Sequence, residues 1–227
     1  NALLEVGKIL SQKKDAIDNF YCSLIEVQVD KKSSRLNQMK QLFEVIVSDR
    51  RGASRDRAEI AIKDFNRIIL SLIQEVDGLL LNGEYETAYT KLFESMCEKI
   101  KNVNQKIVNV YLKLVVIYLD VWQELLPFLY VPIDTWVIQM ITKHLEIGKM
   151  PFSGDNTGLG SFYTKKGEKT KKYNEYLDFQ NELKQVAKQI NEHRIIFDGL
   201  WFIGYAFHRK YPVCGNCWVH NICVSKR

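Results

Sequence analysis

The sequence predicts an all-α fold, and three observations lead to this prediction. The 227 residues include only 4 prolines and 12 glycines, and no proline precedes Pro127, whereas turn-rich β-sandwiches use many of both residues. Apolar residues recur close to the 3.6-residue period of a helix along most of the chain. The β-branched run LVVIYL at 114–119 has neither the alternation nor the flanking hairpin turn of a strand.

The periodicity divides the chain into helical segments separated by turn residues. The dipeptide Asn82-Gly83 ends one of these segments, and a glycine-rich loop is predicted at 148–160. The segment 105–126 is apolar on most sides, which places it at the centre of a domain. The predicted helices cover residues 3–27, 36–47, 57–81, 85–99, 105–126, 134–144, 173–196 and 198–207.

Composition and charge limit the classes of protein to consider. Hydrophobic residues make up 46% and charged residues 26% of the chain, which excludes a disordered tail or a coiled coil. No apolar stretch reaches 18 residues, and the first segment is amphipathic, so we expect neither a membrane span nor a signal peptide. The net charge of +5 suits a polyanionic partner.

Basic residues concentrate in two segments that follow or precede predicted helices. Each cluster is either a solvated loop or a set of phosphate contacts, and the sequence leaves both interpretations open. The clusters are Arg50, Arg51, Arg55 and Arg57, and Lys165, Lys166, Lys169, Lys171 and Lys172.

Three of the 5 cysteines lie close together near the C-terminus, where Cys214, Cys217 and Cys223 have the spacing C-x2-C-x5-C. An odd number of crowded cysteines does not suit a secreted disulfide framework, so we expect an intracellular protein. Thiolates two residues apart bind one metal ion or cluster. The candidates for a fourth ligand are His208 and His220, and we prefer His208 because it leaves a longer loop between ligands.

This tail resembles the iron–sulfur loop of the endonuclease III branch of the helix-hairpin-helix DNA glycosylases. The family pattern is C-x6-C-x2-C-x5-C, after a helix that ends in a glycine four residues before the first cysteine. Here Gly204 precedes His208 by four residues, and PVCGNC at 212–217 resembles the approach to the second and third cysteines. His208 replaces the first cysteine and the loop is one residue shorter. The resemblance therefore implies a 4Fe-4S cluster with one histidine ligand, with an incomplete three-cysteine cluster or zinc as alternatives.

Two upstream motifs are similar to the same family. VPIDTWV at 131–137 resembles its V-D-T-H motif, which implies that Asp134 is catalytic; from the residues alone, Asp134 is also a good helix N-cap. IKNVNQKIV at 100–108 resembles the hairpin L-P-G-V-G-x-K-T-A, with asparagine replacing both glycines. Asparagine tolerates left-handed backbone geometry, so a hairpin can survive the change.

The resemblance assigns roles to residues of both the hairpin and the tail. Lys106 takes the place of the nucleophilic lysine, although it is also an ordinary first-turn helix lysine, and it precedes Asp134 by 28 residues, a longer interval than the family usually has. The implied DNA-contact residues are Asn102, Val103, Asn104, Gln105, Arg209 and Lys210. The implied regions are a helical lobe of unassigned role at 1–95, a helix-hairpin-helix and catalytic-aspartate region at 96–207, and a cluster loop at 208–227.

These assignments imply a two-lobed, monomeric DNA repair glycosylase that flips a damaged or mismatched base out of double-stranded DNA. Lys106 would act as the nucleophile, and Asp134 would assist departure of the base, with abasic-site lyase activity to follow. Two alternatives remain from the sequence. One is a catalytically silent DNA-binding protein of the same fold, and the other is an unrelated helical protein with a structural zinc site.

Overall fold

The computed structural model describes residues 2–25, 28–48, 55–145, 162, 168–204 and 216–223. The chain is predominantly helical, and these ranges contain no strand beyond one isolated bridge residue at Lys169, which confirms the all-α prediction. The α-helices are α1 (Ala2–Ser11), α2 (Lys14–Ile25), α3 (Arg35–Ser48), α4 (Arg55–Leu81), α5 (Tyr85–Lys99), α6 (Gln105–Ile117), α7 (Thr135–Gln139), α8 (Lys171–Gln189) and α9 (Gly199–Ile203).

Shorter elements complete the described chain. Two 3-10 helices cover Gln123–Phe128 and Arg194–Asp198, and a π-helix, Met140–His144, continues directly from α7. None of the helices in the described ranges is both long enough and apolar enough to cross a membrane.

The chain forms two compact units, and the boundary between them passes through α2. Unit 1 joins residues 1–17 to 130–227, and unit 2 is the continuous segment 18–129. The sequence regions predicted at 1–95, 96–207 and 208–227 describe roles along the chain, and they remain a prediction.

Unit 2 packs α3, α4 and α5 around α6, with the 3-10 helix Gln123–Phe128 against α5 and α6. The rings of Phe43 and Phe65 stack with their centroids 4.0 Å apart, and Tyr111 of α6 meets both rings edge-on. Nearly all of α6 is buried, which confirms that this apolar segment lies at the centre of its unit.

Unit 1 packs α1 against α8 and against the 3-10 helix Arg194–Asp198, while α7 contacts α9. The helices approach closely at two glycines. A Cβ atom added to Gly199 would lie 2.5 Å from Leu10 Cδ2 and 2.7 Å from Ile17 Cδ1, and one added to Gly7 would lie 2.9 Å from Ile190 Cδ1. Side chains at these positions would therefore push the helices apart.

Three predicted helices end earlier than the periodicity indicates. The first is interrupted by a turn at Gln12-Lys13, which separates α1 from α2. The fifth, predicted at 105–126, ends at Ile117 because Asp120 and Trp122 adopt left-handed backbone angles of 55° and 58°. The predicted helix 173–196 ends at Gln189, and Asn191 is left-handed at 56° just beyond it.

The remaining boundaries agree with the predictions to within about two residues where the structure describes them. α5 matches the predicted segment at both ends, and Gly83 forms the turn before it with a φ of 76°. The predicted loop 148–160 and the last residues of the predicted helix 198–207 lie outside the described residues.

Candidate functional site

The segment resembling a helix-hairpin-helix hairpin forms a short connection between α5 and α6. The amide of Ile100 donates to the carbonyl oxygen of Met96 at 3.2 Å and closes the last turn of α5. Asn102 then adopts a left-handed φ of 62°, the geometry for which glycine and asparagine are the suitable residues. Asn102 therefore adopts the left-handed backbone geometry that asparagine was expected to tolerate.

Asn104, at the position of the motif's second glycine, has a different structural role. Its backbone is extended, with a φ of −111°, and its side-chain oxygen accepts a hydrogen bond from the amide of Ile107 at 3.2 Å. Asn104 is therefore the N-cap of α6, which satisfies one of the unpaired amides of the first turn.

The hairpin is tied to α4 by a carboxylate that the sequence analysis did not identify. Asp64 is only 8% exposed, and its Oδ2 accepts a hydrogen bond from the backbone amide of Lys101 at 3.1 Å. Its Oδ1 accepts one from Arg67 Nη2, also at 3.1 Å. One signal in the sequence marks this residue: Asp64 lies between Ala61 and Phe65 on the buried face of an amphipathic helix, where a carboxylate needs a partner.

Lys106 is the second residue of α6 and is half-buried. It lies between the buried residues Gln105 and Ile107. The Gln105 side chain is engaged inside unit 2, where its Oε1 accepts from Asn109 Nδ2 at 3.0 Å. The Gln105 side chain is therefore directed into unit 2.

Polar side chains recur every four residues along the buried face of α6, starting from Gln105, which precedes Lys106. Asn109 accepts a hydrogen bond from the Tyr89 hydroxyl at 3.3 Å, and Lys113 Nζ lies 3.5 Å from Asp18 Oδ1. Gln105, Asn109 and Lys113 are spaced four residues apart and are all buried. The helix that begins at the hairpin is thus held by specific polar contacts as well as by its apolar faces.

Asp134 is a buried residue that precedes α7. Its Oδ1 accepts a hydrogen bond from the amide of Val137 at 3.1 Å, and its carbonyl oxygen accepts one from Ile138 at 2.9 Å. The N-cap interpretation of Asp134 is confirmed by these contacts. A carboxylate with one oxygen on a helix amide keeps a fixed orientation, and this is compatible with a second, catalytic role.

The extended segment before Asp134 is anchored to α8. Gln180 is fully buried; its Oε1 accepts from the amide of Val131 at 2.9 Å and its Nε2 donates to the carbonyl oxygen of Val131 at 2.8 Å. Arg194 is also buried in this unit and lies over the ring of Tyr130 at 4.3 Å. Neither Gln180 nor Arg194 was identified from the sequence, because their partners lie about 50 or more residues away in the chain.

The described part of the tail contains two of the four predicted metal ligands. Cys217 and Cys223 are both buried and neither is in a disulfide. The segment between them runs through consecutive turns, in which the amide of His220 donates to Cys217 O at 3.0 Å. The ring of Trp218 stacks on Phe202 of α9 with centroids 5.0 Å apart. Two buried thiols on one compact segment are donors that fit an iron–sulfur cluster or zinc.

The other tail residues of the prediction lie outside the described residues. These are His208, Arg209, Lys210 and Cys214. Within the described ranges no three histidine, cysteine or acidic side chains come together as a metal site, and the predicted ligand set extends beyond those ranges.

The two basic clusters are described only in part. Arg55 pairs with Glu59 at 3.0 Å and Lys171 with Glu175 at 3.4 Å. The two cations are exposed, whereas Glu175 is half-buried. Lys169 lies over the ring of Tyr173 at 4.8 Å. Arg50, Arg51, Lys165 and Lys166 lie outside the described residues.

Comparison of this chain with protein-family models, with curated proteins and with solved structures finds no match.

Proposed function

We propose that this chain is a DNA glycosylase of the helix-hairpin-helix type, with Lys106 as nucleophile and Asp134 as the carboxylate that assists base departure. The observation that carries the proposal is the connection between α5 and α6. It combines a left-handed Asn102 at the position of the motif's first glycine with a lysine at the second residue of α6. A left-handed residue also ends many unrelated helices, so the support comes from its occurrence together with Lys106 in the order of the motif.

The proposed chemistry begins with a base flipped out of the duplex. The unprotonated amine of Lys106 attacks the anomeric carbon of the sugar, and the bond to the base breaks with its electron pair leaving on the base, which takes up a proton. Loss of the amine proton and opening of the sugar ring give an imine between Lys106 and the sugar. Asp134 stabilises the positive charge that develops on the sugar, and β-elimination of the 3′ phosphate from the imine cleaves the strand.

The proposed role of the tail is to bind a metal cofactor. Cys214, Cys217 and Cys223 with His208 would hold a 4Fe-4S cluster or zinc, which would fix the fold of the loop. Arg209 and Lys210 follow His208 directly in the sequence, where cations suit phosphate contacts.

Borohydride trapping on duplex DNA that contains an abasic site tests the proposal without knowledge of the damaged base. Wild type is expected to form a covalent adduct, and Lys106→Ala is expected to lose it. Lys101→Ala is the matched control, because it removes an exposed lysine from the same connection. An adduct that persists in Lys106→Ala would show that the reactive amine belongs to another residue.

The alternative is a catalytically silent DNA-binding protein of the same fold. The observation that favours it is the cap contact of Asp134, which gives the carboxylate a complete structural reason to be present. Such a protein would bind abasic DNA, form no adduct and release no base. Stoichiometric zinc without DNA affinity would instead support an unrelated helical protein with a structural metal.

A further inference from the structure

A carboxylate of α4 joins the hairpin to a cation. Asp64 uses one oxygen for the backbone amide of Lys101 and the other for Arg67 Nη2, both at 3.1 Å. Because both oxygens belong to one buried carboxylate, the guanidinium of Arg67 is held directly beside the turn formed by Lys101 and Asn102.

Arg67 is well placed to meet a ligand. Its side chain is 69% exposed, whereas that of Asp64 is 11% exposed. Lys63 is exposed on the same helix one turn earlier. Lys99 is exposed at the end of α5, and Lys101 is exposed on the connection that follows it. Four cations thus accompany the hairpin, and Asp64 holds one of them in a defined place.

An arginine beside this connection would offset one feature of its sequence. In the motif it resembles, glycines let backbone amides approach a phosphate closely. Here Asn102 and Asn104 carry side chains at those two positions, which keeps a phosphate farther from the backbone. The long side chain of an arginine reaches a phosphate from a greater distance and donates several hydrogen bonds to it.

We propose that Arg67 is an additional binding residue for the phosphodiester backbone of duplex DNA and that Asp64 is the positioning residue that holds it beside the hairpin. This inference rests on the proposed function, since it requires that the hairpin faces DNA. It adds a binding residue from α4 to a surface otherwise formed by the connection between α5 and α6.

The salt dependence of binding tests Arg67. The affinity of the full-length chain for a labelled abasic-site duplex is measured over a range of salt concentrations. The slope of log K against log salt concentration is negative, and loss of one phosphate contact reduces its magnitude by about 0.9. We expect this reduction in Arg67→Gln. Arg67→Lys keeps the charge and is expected to retain most of the slope.

Lys91→Gln is the matched control. Lys91 pairs with Glu75 between α5 and α4 at 2.9 Å, so this change also removes one cation and one ion pair from unit 2. Lys91 precedes the end of α5 by 8 residues, about 12 Å along the helix axis. The slope of this variant is expected to equal that of wild type, and an equal decrease in both variants would overturn the inference.

Asp64→Asn tests the positioning role separately. Asparagine keeps an acceptor for the amide of Lys101 but loses the charge that holds Arg67. The slope is expected to fall towards that of Arg67→Gln even though every cation is still present. An unchanged slope would show that Asp64 does not position Arg67.

The two proposals fail in different ways. If wild type forms the borohydride adduct but Arg67→Gln keeps the full slope, the further inference is wrong and the proposed function stands. If wild type neither binds abasic duplex DNA nor forms the adduct, both proposals are wrong.

Discussion

Tyr111 and Tyr118 are the residues in the described ranges whose buried side-chain oxygens have no hydrogen-bond partner. Tyr111 is fully buried with its ring edge-on to Phe43 and Phe65, and burial raises the pKa of its hydroxyl well above the usual range. The hydroxyl is therefore neutral wherever the protein is folded, and it is desolvated without compensation.

Tyr111→Phe is expected to leave the free energy of unfolding unchanged or to raise it by about 1 kcal/mol, because it removes an unpaired buried hydroxyl. Tyr89→Phe is the matched control: Tyr89 is equally buried, but its hydroxyl donates to Asn109. The free energy of unfolding of Tyr89→Phe is expected to be about 1 kcal/mol lower than that of wild type. Urea denaturation measures both, and a larger loss in Tyr111→Phe than in Tyr89→Phe would contradict the prediction.

At the scale of helices and turns, three elements of unit 2 are joined by one carboxylate. Asp77 of α4 receives two hydrogen bonds from Arg35 of α3, at 2.8 and 3.1 Å, and one from the Trp122 indole at 2.6 Å. Burial of Asp77 acts to raise its pKa, but the hydrogen bonds from Arg35 and Trp122 and the charge of Arg35 lower the pKa below its usual value.

A carboxylate whose pKa is lower in the folded state stabilises the protein above its unfolded-state pKa, and this contribution is lost as the pH falls through the folded-state value. Asp77→Asn is therefore expected to cost about 1 kcal/mol at neutral pH. The difference in the free energy of unfolding between Asp77→Asn and wild type should become smaller below about pH 4.

Thermal denaturation between about pH 7 and pH 3 measures this difference. Glu59→Gln, which removes the exposed partner of Arg55, is the control and is expected to have no measurable effect. A difference between Asp77→Asn and wild type that stays constant down to the lowest pH would contradict the assigned role of the carboxylate.

The contact between Asp77 and Trp122 shows why some helix boundaries were predictable from the sequence and others were not. α4 and α5 follow from apolar periodicity and from the Asn82-Gly83 turn, which are local signals. The end of α6 does not follow, because the left-handed geometry of Trp122 accompanies a hydrogen bond to Asp77, 45 residues away. The early end of α8 had a local signal in Asn191, which tolerates left-handed geometry and was overlooked.

In the candidate site, too, the features set by local sequence were predictable and those set by packing between helices were not. The N-cap contact of Asp134 follows from residue type and neighbours and was predicted. Left-handed geometry was considered tolerable at both Asn102 and Asn104, and only Asn102 adopts it. The link from Asp64 to Lys101 depends on how α4 packs beside the hairpin, and no local pattern specifies that packing.

At the scale of the whole molecule, unit 1 depends on contacts between the two ends of the described chain. Residue 199 is a glycine because the side chains of Leu10 and Ile17 occupy the space next to its Cα. Glu192, just before the second 3-10 helix, also accepts a hydrogen bond from the Ser11 hydroxyl at 2.5 Å.

Gly199→Ala is expected to lower the free energy of unfolding by about 1 to 3 kcal/mol, because the added methyl group overpacks this contact. Gly78→Ala is the control: Gly78 lies within α4, and a Cβ atom there has open space. That variant is expected to gain up to about 1 kcal/mol from helix propensity. Chemical denaturation compares the two, and equal effects would contradict the packing described for Gly199.

The order of the units along the chain has a consequence during synthesis. Unit 2 is complete once the ribosome has translated Leu129, whereas α1 must wait for partners as late as Asp198. At about 5 to 20 residues per second, the interval from residue 17 to residue 198 lasts roughly 9 to 36 s. Leu3, Val6 and Leu10, which are buried in the finished protein, are not covered by α8 or by the second 3-10 helix until those elements have been translated. A nascent chain from which residues up to Leu129 have left the ribosome therefore carries one complete unit and one helix without its partners.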